Sequence, residues 1–144
     1  MAVRKLQESR VFQAQVAELD RMMVWVREVL KKVKLQSSRC RKFEIAIEEA
    51  LINIINYAYP NYEGLIKIIY EKDEKKETVN FSIIDQGNPF NPIKDVKKPN
   101  IGTKVEEQPI GGLGIHFMRE LTDHIDYRRE GNSNILILSQ QINK

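Results

Sequence analysis

The spacing of apolar residues first predicts two helices. Across residues 17–34 apolar side chains recur at intervals of three and four, which is the period of one face of an amphipathic helix. A second helix follows, with Ser37 and Ser38 as candidate N-caps, and runs to about Ala58. Each of these helices is therefore expected to pack one face on a sheet or on another helix.

Strand patterns fill most of the remaining chain. Residues 10–16 alternate weakly between polar and apolar and are interpreted as an edge strand. Two strand pairs follow, each joined by a short polar segment that is typical of a hairpin: 65–71 with Thr78–Asp85, and His124–Glu130 with 134–142. This order of elements predicts an α+β fold, a two-layer sandwich with helices on one face of a mixed, mostly antiparallel sheet.

One long segment has no regular pattern. Residues 86–110 contain four prolines and two glycines, and loops of this length in a compact domain are usually functional lids or disordered. Three lysines, at 94, 97 and 98, and a fourth, Lys104, make this segment basic, which suits either a lid over phosphates or an ordinary solvated loop. We expect a single domain over residues 1–144, with this segment as its lid.

Composition excludes several classes of protein. The chain has 23 basic and 20 acidic residues, and the resulting charge of +3 is too small to indicate a nucleic-acid partner. Cys40 is the only cysteine, so no internal disulfide can form. The first 15 residues lack the apolar stretch of a signal peptide, and no apolar run is long enough to span a membrane. We therefore expect a cytoplasmic protein that binds neither membrane nor nucleic acid.

A polar stripe interrupts the otherwise apolar second helix. Glu49, Asn53 and Asn56 fall within a sector of roughly 60° at about 100° per residue. A buried carboxylate is costly unless something polar faces it. The stripe is therefore either a satisfied or solvated polar patch, or a site in which Asn53 offers an oxygen ligand to Mg²⁺ and Glu49 orients or deprotonates a hydroxyl.

Two glycine-containing segments add candidate binding chemistry. Asp85 ends an apolar strand and is followed by Gly87, which is typical of a turn but also of a carboxylate that accepts a hydrogen bond from an exocyclic amine. The glycines of residues 111–114 precede a short predicted helix that ends near Leu121. Their exposed N–H groups favour phosphate binding, although a plain glycine-rich turn is the alternative. His116 and His124 are interpreted as packed or half-exposed residues.

Together, the order and spacing of these segments resemble a known family. Residues 49–53 resemble the N-box of the Bergerat, or histidine-kinase-like, ATPases, and residues 85–90 and 111–115 resemble their two glycine boxes. The phrases at 56–60, 88–92 and 111–118, with 123–127 after them, are similar to those of bacterial anti-sigma factor serine kinases of the RsbW type. The resemblance covers the chain from about residue 10 to its end.

The resemblance implies a role for each motif residue. It implies that Glu49 is catalytic, that Asn53 binds magnesium, and that Asp85 binds the adenine of ATP or ADP. Ser133 or Asn134 occupies the place where related proteins often have a threonine near the adenine. The remaining nucleotide contacts that it implies are Asn56, Gly87, Lys104, Gly112, Leu113, Gly114 and Ile115.

The resemblance also implies partners. Kinases of this type use ATP to phosphorylate a serine on a STAS-domain anti-anti-sigma protein, bind a sigma factor when free, and often form homodimers. One feature favours an alternative, a nucleotide-gated binding module without phosphotransfer. No arginine lies between Gln86 and Ile110, where related kinases often use one on the γ-phosphate, and Lys104 is the candidate substitute.

Overall fold

The computed structural model describes residues 5–59, 63–91 and 118–142. Within these ranges the strands are β1 Lys5–Gln13, β2 Leu65–Asp73, β3 Thr78–Asp85, β4 His124–Glu130 and β5 Ser133–Gln141. The helices are α1 Leu19–Leu30, which follows a single 3₁₀ turn at Val16–Glu18, and α2 Ser37–Tyr57. Neither helix has the combination of length and apolarity that crossing a membrane requires, within the described ranges.

The five described strands form one sheet in the order β1-β2-β3-β5-β4. Both predicted hairpins are confirmed, since β2 pairs with β3 and β4 pairs with β5. The remaining pairs, β1 with β2 and β3 with β5, are also antiparallel. The predicted α+β class is therefore confirmed, and the described sheet contains no parallel pair.

Three predicted boundaries were wrong. β1 begins at Lys5 and ends at Gln13, rather than spanning 10–16, because it pairs with β2 along its whole length through backbone hydrogen bonds that need no apolar pattern. α1 is shorter than residues 17–34 at both ends. The N-cap of α2 is Gln36, and its side chain makes no capping hydrogen bond, so Ser37 and Ser38 lie inside the first turn.

The core lies between the two helices and one face of the sheet. Alternate residues of β2 and β3 are buried against the helices, as period-two geometry requires. Phe43 of α2 meets Phe81 of β3 edge to face, with ring centroids 5.6 Å apart. The opposite face of the sheet carries exposed apolar residues, among them Val11 and Leu65. Helices thus cover one face of the described sheet, as predicted.

An ion pair links the start of α2 to the segment that precedes β4. The Arg39 guanidinium lies 2.9 Å from Asp123 Oδ2, and the two side chains are 14% and 23% exposed. The same carboxylate accepts the backbone N–H of Gln141 at 2.7 Å. The carboxylate of Asp123 therefore anchors the chain where it enters the second hairpin.

Residues 118–121 are helical, which agrees with the predicted end of the short helix near Leu121.

The chain leaving β3 packs closely on the end of α2. Asn88 donates its backbone N–H to the Ala58 carbonyl at 2.9 Å. The Tyr59 hydroxyl accepts the N–H of Gln86 at 2.7 Å and donates to the Leu65 carbonyl at 2.8 Å. A Cβ atom on Gly87 would lie 2.2 Å from the Ala58 carbonyl oxygen, so only glycine allows this approach.

We expect Gly87→Ala to lower the free energy of unfolding by about 1–3 kcal/mol, since the added methyl group must push the backbone of α2 and the β3 exit apart. Chemical denaturation measures this change. Gly131→Asn is the matched control, because an added Cβ there meets nothing within 4 Å and asparagine tolerates the φ of +57°. Equal stability of Gly87→Ala and the wild type would contradict the close packing at this point.

Candidate functional site

A cavity between α2 and the sheet brings together two of the predicted site residues, Asn53 and Asp85. Their side chains are 4% and 3% exposed, so both are polar groups inside the fold. The residues that line the cavity are Ala50, Asn53, Ile54, Ala58, Asp85, Phe90, Tyr127, Asn134 and Leu136. The walls thus come from α2, from the exit of β3, and from β4 and β5.

The fold explains why both polar side chains reach this cavity. Asp85 is the last of the alternate β3 residues that face the helices, after Val79, Phe81 and Ile83. Asn53 lies on the sheet-facing side of α2, with its neighbour Ile54 and with Ala50 one turn earlier. The same periodicity that builds the core therefore carries an amide and a carboxylate to its edge.

One carboxylate oxygen of Asp85 stabilises a turn, and the other can accept a further hydrogen bond. Its Oδ1 atom accepts the Gly87 N–H at 2.9 Å and the Asn134 side-chain amide at 2.8 Å. Within the described chain, Oδ2 has no hydrogen-bond donor. Burial raises the pKa of Asp85, while the bonds from Asn134 and Gly87 and the charge of Arg129 lower it. The predicted Asp-x-Gly turn thus forms and leaves one carboxylate oxygen available to a ligand.

Asn53 provides the second polar group of the cavity. Its Nδ2 atom is buried and has no hydrogen-bond partner among the described residues. A buried amide left unpaired costs about 1–3 kcal/mol, so a polar ligand at this point would relieve a penalty. A half-turn of the amide exchanges its nitrogen for its oxygen, the kind of ligand that Mg²⁺ prefers.

The residues therefore fit a magnesium ion with few protein ligands. The described ranges contain no group of three or more His, Cys, Asp or Glu residues placed to hold a metal. Magnesium commonly keeps several waters and binds through one or two protein oxygens together with substrate phosphates. Asn53 is the described residue best placed for that role.

The three polar residues of the α2 stripe differ in burial. Glu49 lies one turn before Asn53 and is half-buried, whereas Asn56 is exposed. Burial raises the pKa of Glu49, and the neighbouring charge of Glu48 raises it further. Glu49 is not among the residues that line the cavity, so its raised pKa, which suits a group that accepts a proton, is the observation that marks it as a candidate base.

Asn134, rather than Ser133, lies against Asp85. Because neighbouring strand residues point to opposite faces, Ser133 points away from the cavity that Asn134 lines. The Asn134 amide also donates to the Asn88 carbonyl at 2.9 Å, and its oxygen accepts the Tyr127 hydroxyl at 2.5 Å. Of the two positions that the sequence left open, the structure brings Asn134 to the site.

The sequence analysis assigned no role to three further residues of the site, although Phe90 and Tyr127 fall within segments that carry the resemblance. Tyr127 supports Asn134, Arg129 donates to the Gly87 carbonyl at 2.9 Å, and the ring of Phe90 lies 5.2 Å from that of Tyr57. Inward alternation along β4 could have indicated Tyr127. Nothing in the local pattern indicates Arg129, whose partner is 42 residues away in sequence.

The remaining predicted contacts lie outside the described residues. They are Lys104, Gly112, Leu113, Gly114 and Ile115, together with most of the lid at 86–110 and His116. Their roles stay predictions. His124, which is described, is exposed on β4.

Comparison with known proteins identifies the family of this chain. The sequence profile of the histidine kinase-like ATPase domain matches residues 12–140, which includes α2, β3 and both hairpins. The serine-protein kinase RsbW of Bacillus mycoides (strain KBAB4) is 31% identical over 97 residues, or 65% of this chain and 59% of that protein. The RsbW of Bacillus cereus (strain B4264) is 30% identical over 95 residues, with the same coverage. The matched region thus spans about three fifths of each relative.

Two solved structures share the fold. The crystal structure of the RsbU and RsbW domains of a Mycobacterium tuberculosis protein superposes with a TM-score of 0.67 at 15% identity, covering 95% of this chain and 32% of that chain. The histidine kinase AdeS of Acinetobacter baumannii gives 0.53 at 17% identity, covering 95% and 68%. With a family profile matched over residues 12–140 and these folds alongside it, the chain belongs to the histidine kinase-like ATPase domain family.

Proposed function

We propose that this chain binds ATP or ADP with Mg²⁺ at the cavity between α2 and the sheet, which within the described ranges is small (about 10 Å³) and marks the polar inner end of the site, and that it is a protein serine/threonine kinase. One observation carries the proposal. A buried amide on the helix wall and a buried carboxylate on the sheet wall line the same cavity, and each has unused hydrogen-bonding capacity among the described residues. A nucleotide has an amine at one end and metal-bound phosphates at the other, so it matches this pair.

The base end of the nucleotide is assigned to Asp85. Its Oδ1 atom is occupied by the Gly87 and Asn134 donors, so Oδ2 is the acceptor for the exocyclic amine of adenine. Phe90 and Leu136 provide apolar surface for the ring. Gly87 packs directly against the backbone of Ala58, and this contact holds the first glycine box close to the end of α2, next to the Asp85 carboxylate.

The phosphate end is assigned to Asn53 and to the predicted segments that follow β3. Asn53 would hold Mg²⁺, which supplies charge neutralisation for the β- and γ-phosphates. The glycines of residues 111–114 would donate backbone N–H groups to phosphate oxygens, and Lys104 of the lid would add positive charge. Catalysis then rests on positioning and electrostatics rather than on a covalent intermediate.

Glu49 is assigned the role of accepting the proton of the substrate hydroxyl. In the transfer, the serine hydroxyl oxygen of a protein substrate bonds to the γ-phosphorus, the bond from that phosphorus to the bridging oxygen breaks, and ADP leaves. The hydroxyl proton passes to the Glu49 carboxylate. The half-buried position of Glu49, one turn from Asn53 on α2, supports this role.

The names of the relatives suggest the biological setting. Because the matched proteins are serine-protein kinases called RsbW, we infer an anti-sigma factor that phosphorylates a serine on a STAS-domain anti-anti-sigma protein and sequesters a sigma factor. A homodimer in the cytoplasm, with no direct contact to nucleic acid or membrane, is part of the same proposal.

A second function is favoured by one observation. The lid contains no arginine between Gln86 and Ile110, and a lysine lacks the planar fork that clamps a γ-phosphate. In this alternative the nucleotide controls docking of a partner protein and no phosphate is transferred. A stable complex whose partner is never phosphorylated would favour this alternative.

The kinase proposal is tested by incubation with γ-labelled MgATP and a candidate STAS-domain partner. We expect label on a partner serine with the wild type. Glu49→Gln should bind nucleotide as the wild type does and transfer phosphate at least about 100-fold more slowly, the usual scale for loss of a general base. Equal rates would remove Glu49 from this role, and bound nucleotide without label in the wild type would favour the gated module.

The raised pKa of Glu49 predicts a pH effect. Phosphotransfer needs the ionised carboxylate, so kcat/KM should fall on the acidic side at a higher pH than an ordinary glutamate would give. Glu48→Gln removes the neighbouring negative charge, which lowers the pKa of Glu49 and moves this acidic limb to lower pH. A limb that stays in place in Glu48→Gln would mean that another group controls it.

A further inference from the structure

We propose that Tyr127 is a positioning residue for nucleobase recognition, which holds Asn134 so that Asp85 presents its free oxygen to an exocyclic amine. The inference rests on the proposed function, because it assigns to Asp85 the base end of a bound nucleotide. It adds a residue of the edge strand β4 to which the family resemblance assigned no role.

Every hydrogen-bonding position of the Asn134 amide is occupied. Its nitrogen donates to Asp85 Oδ1 at 2.8 Å and to the Asn88 carbonyl at 2.9 Å. Its oxygen accepts the Tyr127 hydroxyl at 2.5 Å and, more weakly, the Phe90 N–H at 3.5 Å. An amide has two donor hydrogens and two acceptor lone pairs, so this side chain has no capacity left for a ligand.

The orientation of this amide controls the carboxylate. If it turned by 180°, its oxygen would face Asp85 Oδ1, and two acceptors would oppose each other in a buried site. Without the Tyr127 hydroxyl, the buried amide oxygen keeps only the long contact from Phe90. The amide is then held mainly through its nitrogen, so its orientation is less firmly fixed, and the donor to Asp85 Oδ1 is less firmly fixed with it.

Selectivity for the base follows from this arrangement. With Oδ1 held by two donors, Oδ2 is the oxygen of this cavity-lining carboxylate that has no donor among the described residues, and only a donor group can satisfy it. A purine with an amine at position 6 supplies that donor, and a purine with hydrogen there does not. Loss of one hydrogen bond to a charged group corresponds to about 10- to 100-fold in affinity.

The test compares two ligands, ADP and purine riboside 5′-diphosphate, which lacks the 6-amine, by calorimetry in the presence of Mg²⁺. The wild type should prefer ADP by about 10- to 100-fold. Tyr127→Phe should reduce that preference about tenfold, while its affinity for the amine-free ligand stays within about twofold of the wild type. Retained preference, or an equal loss for both ligands, would overturn the positioning role and leave the proposed function standing.

Two further variants complete the design. Tyr70→Phe is the matched control, because the Tyr70 hydroxyl is buried on β2 without a hydrogen-bond partner among the described residues and lies outside the cavity lining. Asn134→Leu should reduce the preference even if Tyr127→Phe does not fold, since it removes both amide donors at similar side-chain volume. A wild type that binds neither ligand, or binds both equally, would instead overturn the adenine assignment of Asp85.

Discussion

The carboxylate of Asp85, fixed at the buried end of β3 by the Gly87 N–H and the Asn134 amide, is the contact on which the rest of the site depends. It connects three parts of the molecule that are distant in sequence: the β3 exit, the strand β5, and, through the close approach of Gly87 to Ala58, the end of α2. Because burial disfavours the charged form, these donors also keep the group suited to accept a hydrogen bond.

The helix α2 contributes both to the core and to the site. α2 buries Phe43, Ile47 and Leu51 against the sheet, and this contact sets the position of Asn53 across the cavity from Asp85. The unpaired amide of Asn53 lowers the stability of the fold, and the apolar packing around it offsets this loss. Arg39 and Tyr70 also have a buried polar atom without a hydrogen-bond partner among the described residues, but of the three residues Asn53 alone lines the cavity, which is where a ligand could satisfy it.

The sequence allows prediction of the elements and of the polar residues that local periodicity governs. Asp85 ends an alternating strand, and Asn53 lies at helical spacing from the other polar residues of α2. Each pattern belongs to a single element, so the face of the strand or helix on which each residue lies could be inferred. Pairing between strands that are not neighbours in the chain could not be predicted: the register that sets Asn134 against Asp85 joins residues 49 apart, and Arg129 reaches Gly87 across 42. The bounds of the predicted edge strand β1 were wrong for a related reason, since its pairing with β2 is made by backbone groups whatever the side chains.

The most direct measurement is calorimetric titration of ADP into the wild type and Asn53→Ala, each with and without Mg²⁺, with Asn80→Ala on the outer sheet face as control. The account predicts that Mg²⁺ strengthens binding to the wild type and to the control, and that Asn53→Ala loses this magnesium-dependent gain. Binding of MgADP by Asn53→Ala that equals the wild type would contradict the assignment of this cavity as a magnesium–nucleotide site.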